Sequence, residues 1–508
     1  MGAESAFMKG HDLGEKSYNW EGNILTLKNK RVLALVLAFV MAFSLALPVT
    51  AFADVTVDQP MASLTEVREI TADATFKAAV KAEDLTITYG GKALSEWKSW
   101  NAEAGEFTGA PFITSTVTAT GANAKVKLKF DLAFGTNDLN PRSIRVRFPE
   151  LIGNHELKIT DKVSGESVTV PLKLNAFDQY TPYSEYKAKL DEMMANKKSD
   201  RYVEVSSLGK TADGDHEQYF VIIAKSREVV ENYLNKQVPQ MYNDPAALKA
   251  KLNKGDKNYK IAVWFNNVHG DEAPGPDANL ALAVNFATKD SFTFDLKKAD
   301  VSDDYPKAME LKTADVLDSM ILLFNITQNP YGKDMNRRGN ANGFDLNRDY
   351  TYQAQTESAN YAAAIHKWAP CSIMDFHGFY KQFLIEPCTG PHNDNYEYDL
   401  IITNLLSQSF VFGKAGVANS VYKSYDIPYA DYKDGFDDAN TCYTSSYGII
   451  NGALSQTIEI PDMNGESFKA LVYGSYGSLN FLLNNKNVIA NNQLEVYRRG
   501  VENIDNRG

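Results

Sequence analysis

An imidazole and a carboxylate three residues apart can close on a single cation, and His269 and Glu272 stand so in the run IAVWFNNVHGDEAP (261–274). That donor pair suits Zn²⁺, and the small Gly270 lets the backbone bend between them. HxxE arises often by chance, so the assignment depends on partners. A catalytic zinc site needs a third protein ligand and keeps a fourth position for water. Of the seven histidines, His377 has the setting for it, because CSIMDFHGF (371–379) reads as an apolar strand ending in Asp375, His377 and Gly378. Glu459 lies in SQTIEIP, an apolar strand where an unpaired carboxylate is expensive to bury. It is either half of a structural ion pair or the general base of a hydrolase. Between these stretches runs NPYGKDMNRRGNANGFDLNRDY (329–350), with Arg337, Arg338 and Arg348. The arginine fork grips carboxylates through two parallel hydrogen bonds, so one of the three could steady a developing oxyanion and another anchor an anionic substrate.

These residues need a scaffold that holds them together. The segment 261–265 has the β-branched and aromatic character of a buried strand, and 277–286 has helical apolar spacing. His269 and Glu272 then sit on the connecting loop at a strand's carboxyl end, where open α/β sheets gather ligands. From about Tyr180 onward an amphipathic helix (SEYKAKLDEMMANK), two strands (YVEVSSLG, QYFVIIAK) and further helix and strand alternation give an α/β layout. Residues 288–312 read as a surface excursion, 467–483 as a helix, and 486–508 as a polar C-terminal tail. Residues 54–176 differ in kind. The segments DLTITYG, KVKLKFDLAF, SIRVRFPEL, HELKITD and SVTVPLKL, with turns between them, predict an all-β, Ig-like sandwich. His155, in GNH, reads there as a polar surface residue.

Composition narrows the classes. The chain has 508 residues, 44% hydrophobic and 23% charged, and a formal charge of −12. Nothing supplies the clustered Lys and Arg that neutralise phosphates, which argues against nucleic acid as a partner. Residues 1–53 read as an export signal. Lys28, Lys30 and Arg31 precede an apolar run over 32–47, followed by Pro48 and Ala51-Phe52-Ala53. The run falls short of the roughly 20 residues that span a bilayer, so no permanent membrane span is expected after cleavage and the location is secreted or cell-envelope. Cys371, Cys388 and Cys442 are too few for a disulfide scaffold. A 371–388 bridge competes with simple buried thiols. No CxxC occurs, which leaves a metal to His and carboxylate.

In this order HGDE, NPYG with RGNANGFDLNRDY, DFHG and TIEI resemble the zinc carboxypeptidase family of carboxypeptidase A, over residues 177–485. The resemblance implies a mixed twisted sheet flanked by helices, one Zn²⁺, and hydrolysis of C-terminal residues from peptides or proteins. It implies His269, Glu272 and His377 as ligands, Glu459 as general base, and Arg338 beside the oxyanion with Arg337 as the alternative. Asn347 and Arg348 match the pair that binds the substrate's free C-terminal carboxylate. For the family's mobile tyrosine, Tyr432 and Tyr443 both lie in the right region, Tyr432 being the preferred match, and Tyr447 is too near Glu459. Asp437 and Asp438 hint at a basic C-terminal residue. Three rivals remain: a cell-wall (muropeptide) peptidase of the same fold, a non-catalytic surface-binding protein using the β-sandwich, and a small-molecule deacylase of the aspartoacylase branch.

Overall fold

The computed structural model describes residues 54–137, 142–177, 180–297, 308–387, 397–428, 440–463 and 465–504. The expected signal over 1–53, and Cys388, Tyr432, Asp437 and Asp438, lie outside these residues.

A seven-stranded mixed sheet carries the candidate residues. Its strands, numbered along the chain, are β1 (Tyr202–Lys210), β2 (Glu217–Ala224), β3 (Ile261–Asn266), β4 (Met320–Asn325), β5 (Ser372–Gly378), β6 (Leu384–Pro387) and β7 (Leu454–Ile460). Their spatial order is β1-β2-β4-β3-β5-β7-β6. The central four, β4-β3-β5-β7, run parallel, while β1, β2 and β6 join antiparallel. Every residue of β3, β4 and β5 is buried. That follows from near-continuous apolar runs such as IAVWF and MILLF, which suit strands with both faces covered. Helices such as Pro274–Thr288, Thr356–Trp368, Tyr398–Ala418 and Gly465–Glu502 flank the sheet, so the fold is mixed α/β. Among the described residues, Asp399–Ala418 is long and apolar enough to cross a membrane; it packs along Gly465–Glu502.

Upstream, a four-stranded sheet (Asp54–Val57, Arg68–Thr75, Asn123–Phe130, Ile113–Thr120) and a five-stranded one built around Ser167–Asn175 and Gly153–Asp161 share a second core. Strict alternation of buried and exposed residues along Asn123–Phe130 shows the half-buried strand period.

Four local expectations change. The segment SIRVRFPEL forms no strand; Arg142–Arg145 is helical and Phe148–Glu150 is a 3₁₀ turn. Pro149 has no amide hydrogen for a ladder, and Val146, which the alternation would bury, is exposed. The stretch 288–312 contains a hairpin, Ser291–Asp295 with Ala308–Lys312, rather than a plain excursion, and it buries Phe292 and Phe294. The helix expected to stop at 483 runs on to Glu502 through the segment read as a tail, because Leu482, Ile489, Ala490, Gln493 and Leu494 continue one buried stripe. His155 is also no loose surface group. It lies in Gly153–Asp161, accepts Tyr89 and Trp97 as ring neighbours at 5.0 and 5.1 Å, and bonds the Leu151 carbonyl at 2.8 Å.

Candidate active site

The loop after β3 is pinned before it reaches the candidate ligands. Asn266, at the end of β3, pairs in register with Asp375 of β5 and donates to its carboxylate at 3.0 Å. Asn267 Nδ2 donates to the Phe376 carbonyl at 2.8 Å and its Oδ1 accepts from Thr327 at 3.1 Å. The chain then turns through His269-Gly270-Asp271-Glu272 and enters Pro274–Thr288, whose first turn holds Pro274 and Pro276, residues that suit positions with no intrahelical amide bond. Gly270 does more here than let the chain bend. A Cβ on it would lie 2.1 Å from the Lys333 amide and 2.4 Å from the Asn329 carbonyl, so glycine is required for the two loops to touch.

His269, Glu272 and His377 come together, buried, with their ligand atoms within 4.8 Å of one another. His269 Nδ1 lies 2.9 Å from Glu272 Oε1, and His377 Nδ1 lies 3.4 Å from Glu272 Oε2. Each imidazole is held from behind by a carboxylate: His269 Nε2 meets Asp345 at 2.9 Å and His377 Nε2 meets Asp375 at 2.7 Å. With Nε2–H donated to those carboxylates, each imidazole would present its Nδ1 to a bound metal ion, the tautomer a metal ligand requires. Beyond that 3.4 Å contact to His377, Glu272 Oε2 is buried without a hydrogen bond. An unsatisfied buried carboxylate oxygen is costly, and a cation between the three side chains would satisfy it. Two imidazole nitrogens and a carboxylate, with no thiolate, fit Zn²⁺.

Electrostatics agree with that geometry. Burial alone would raise Glu272, yet the His269 and His377 imidazoles hold it well below the usual carboxylate range. Burial opposes charge on His377, but Asp375 and Glu272 push its proton affinity well above the ordinary imidazole value. In the absence of a metal the group thus favours protonated imidazoles, which a metal would displace.

The arginine loop wraps this cluster through Asp345. Its Oδ1 accepts from the Asn347 amide and meets His269 Nε2, both at 2.9 Å, and its Oδ2 accepts from Arg338 Nε at 2.9 Å. Burial would raise Asp345, but His269 and Arg338 hold it far below the carboxylate range. Arg338 Nη1 reaches Glu272 Oε1 and His269 Nδ1, each at 3.2 Å, with its side chain 39% exposed. It is therefore both against the ligands and open to a bound molecule. Arg337 points outward and is exposed. Asn347 Oδ1 accepts from the Thr444 amide and hydroxyl at 2.8 and 2.7 Å, which leaves the amide nitrogen to offer a carboxylate. Arg348 is 48% exposed, donates to the Asn347 carbonyl at 2.8 Å and lies over the Tyr443 ring at 4.6 Å. Tyr443 thus meets the carboxylate-binding candidates directly. Tyr447 bonds His366 and Gln353 instead.

Glu459 is opposite His377 in the β5–β7 register. It makes no ion pair or side-chain hydrogen bond with any described residue, so the structural ion pair is not seen. Burial pushes its carboxyl up to about 7, Glu272 adding to the shift and His377 opposing it. Cys371 is a free buried thiol that burial pushes up to about 12, and Cys442 is buried as well. The sequence marks the candidate ligands but not what orients them: Asp345, Asp375, Asn266, Asn267 and the buried Glu357, whose carboxylate fixes the arginine loop through Asn340 at 3.1 Å. The only sequence signal for the two histidine partners is their position, Asp375 two residues before His377 and Asp345 inside DLNR.

The sequence matches no protein-family model and no curated protein. Solved structures do match in shape. One is a carboxypeptidase A candidate from Shewanella denitrificans, at 14% identity and TM-score 0.41, covering 85% of this chain and 96% of the other. Another is a metallo-carboxypeptidase from Pseudomonas aeruginosa in complex with (2-guanidinoethylmercapto)succinic acid, at 13% identity and TM-score 0.40, covering 86% and 97%. A carboxypeptidase candidate from Burkholderia mallei stands at 13% and 0.42, covering 82% and 88%. Similarity this low carries no functional weight, and the site geometry has to.

Proposed function

We propose that this chain is a zinc-dependent metallocarboxypeptidase that removes C-terminal residues from peptides or proteins. One observation carries the assignment: one ring nitrogen from each of His269 and His377 and a Glu272 carboxylate oxygen converge within 4.8 Å, with the unpaired Glu459 on the neighbouring strand. Zinc held by His269, Glu272 and His377 would supply Lewis-acid polarisation of the scissile carbonyl and acidify water. Glu459 accepts the attacking water's proton and returns it to the departing amine. Arg338 faces the negative charge that develops on the carbonyl oxygen. Asn347 and Arg348 fix the substrate's terminal carboxylate, Arg348 through its two-pronged guanidinium. Incubating zinc-loaded protein with a mixed peptide library and reading products by mass spectrometry tests this. Successive loss of single C-terminal residues is expected; internal cleavage alone, or none, would overturn it. The segment 1–53 would direct this activity out of the cytoplasm, and an exported protein whose first residue is not Asp54 would refute cleavage after Ala53.

The two arginines should separate kinetically. Arg338→Ala removes an interaction made in the transition state, so kcat is expected to fall about 10²–10³-fold with KM little changed. Arg348→Ala removes binding shared by ground and transition states, so the main effect is a raised KM, abolished for substrates whose C-terminus is amidated.

The pH profile follows from Glu459. Its base form is lost below a carboxyl value of about 7, and a neighbouring cation favours the charged form. The acid limb of kcat/KM for the zinc-loaded enzyme is therefore expected at or below pH 7, falling about tenfold per unit. A limb that persists unchanged in Glu459→Gln would belong to another group.

A further inference from the structure

The three loops that follow β3, β5 and β7 carry or adjoin His269 and Glu272, His377, and Glu459. Each places one residue in or against the core of the N-terminal β unit. Ala273, next to Glu272, and Met463, beyond β7, are buried members of that core, and Phe379, two residues after His377, packs against it. Arg145 of the same unit ties two of the loops together. Its Nη1 lies 3.4 Å from Asp271 Oδ2, between the two HxxE ligands, and its guanidinium lies over the Phe379 ring at 4.8 Å. The arginine is only 15% exposed and Asp271 9%, so this pair is shielded from the solvent screening that makes surface pairs weak.

Resting on the zinc peptidase assignment above, we propose that the N-terminal β unit is a structural part of the catalytic centre, and that Arg145 is a positioning residue setting the ligand loops of His269–Glu272 and His377 against each other. A module that only targeted the enzyme would have no reason to thread its core with residues beside both ligand loops. Partners that orient metal ligands are typically worth about 10–100-fold in metal affinity or activity, and Arg145 acts on two loops at once.

The test uses the full chain. Zinc affinity is measured by competition with a chromophoric chelator, together with kcat and KM on a blocked peptide. Arg145→Ala is expected to weaken zinc binding about tenfold and lower kcat with KM nearly unchanged, with Arg145→Lys restoring part of both. Arg147→Ala, which loses a Glu150 pair, a bond to the Gly105 carbonyl and a Trp100 contact, all within the N-terminal unit, should match wild type. If Arg145→Ala fails to fold, Phe379→Leu removes the stacked ring while keeping an apolar side chain, and the same loss is expected. Wild-type zinc affinity and kcat in a folded Arg145→Ala or Phe379→Leu chain would overturn the inference. Should the chain bind zinc yet cleave no peptide, the assigned activity fails while the zinc-affinity comparison still decides the role of Arg145.

Discussion

Replacing Glu459 by Gln is expected to lower kcat/KM about 10²–10⁴-fold, the usual worth of a positioned general base, while zinc stays at one ion per chain. Gln keeps the shape and removes the charge, so a purely structural carboxylate would show the opposite pattern: a stability change and near-normal turnover. A stability effect is expected too, and its sign is fixed. The ordinary carboxyl value is 4.5 and the folded one about 7, so the folded chain keeps a proton that the unfolded chain has lost. The stability this contributes is complete below 4.5 and disappears as pH rises through 7. Metal-free Glu459→Gln should therefore melt above metal-free wild type at pH 8, and the gap should close toward pH 4.5. Loss of turnover together with that gain is the signature of a group held for chemistry at a cost in stability. Full activity on C-terminal peptides after Glu459→Gln would end the assignment.

The three residues that converge, and Glu459 beside them, were legible as candidates because each is marked twice, by its type and by its place at or just beyond the end of an apolar strand. His377 and Glu459 illustrate this: IMDF and SQTI identify buried strands, and parallel strands deliver the residues at their carboxyl ends to one edge of the sheet. What could not be read is what acts between distant elements. Asp345 earns its place through His269, 76 residues away, and Asn266 through Asp375, 109 away; no local period encodes such contacts. Errors in local structure have local causes. In SIRVRFPEL an alternating pattern meets a proline, and backbone hydrogen bonding decides. In 486–502 the many asparagines, which favour caps and turns over helix interiors, mask a buried stripe whose spacing is helical.

Removing a ligand should be the more drastic change, and its logic runs through Glu272. Either His269→Ala or His377→Ala leaves two donors where three converge. Disturbing residues that merely orient ligands already costs about 10–100-fold, so zinc content after dialysis is expected to fall from one per chain to near zero, with peptidase activity at background. The same change removes an imidazole that holds the buried Glu272 carboxylate in its charged form, so even the metal-free chain should melt lower than metal-free wild type. Chelating zinc from the wild type should lower Tm as well, since zinc at 1,000 times its Kd stabilises by about 4.1 kcal/mol. The ligand variants should be insensitive to the chelator. Because zinc must displace protons that Asp345, Asp375 and Glu272 hold on the two imidazoles, wild-type affinity should weaken as pH falls. Zinc retained at one per chain in both His→Ala variants would mean that this cluster is not the metal site.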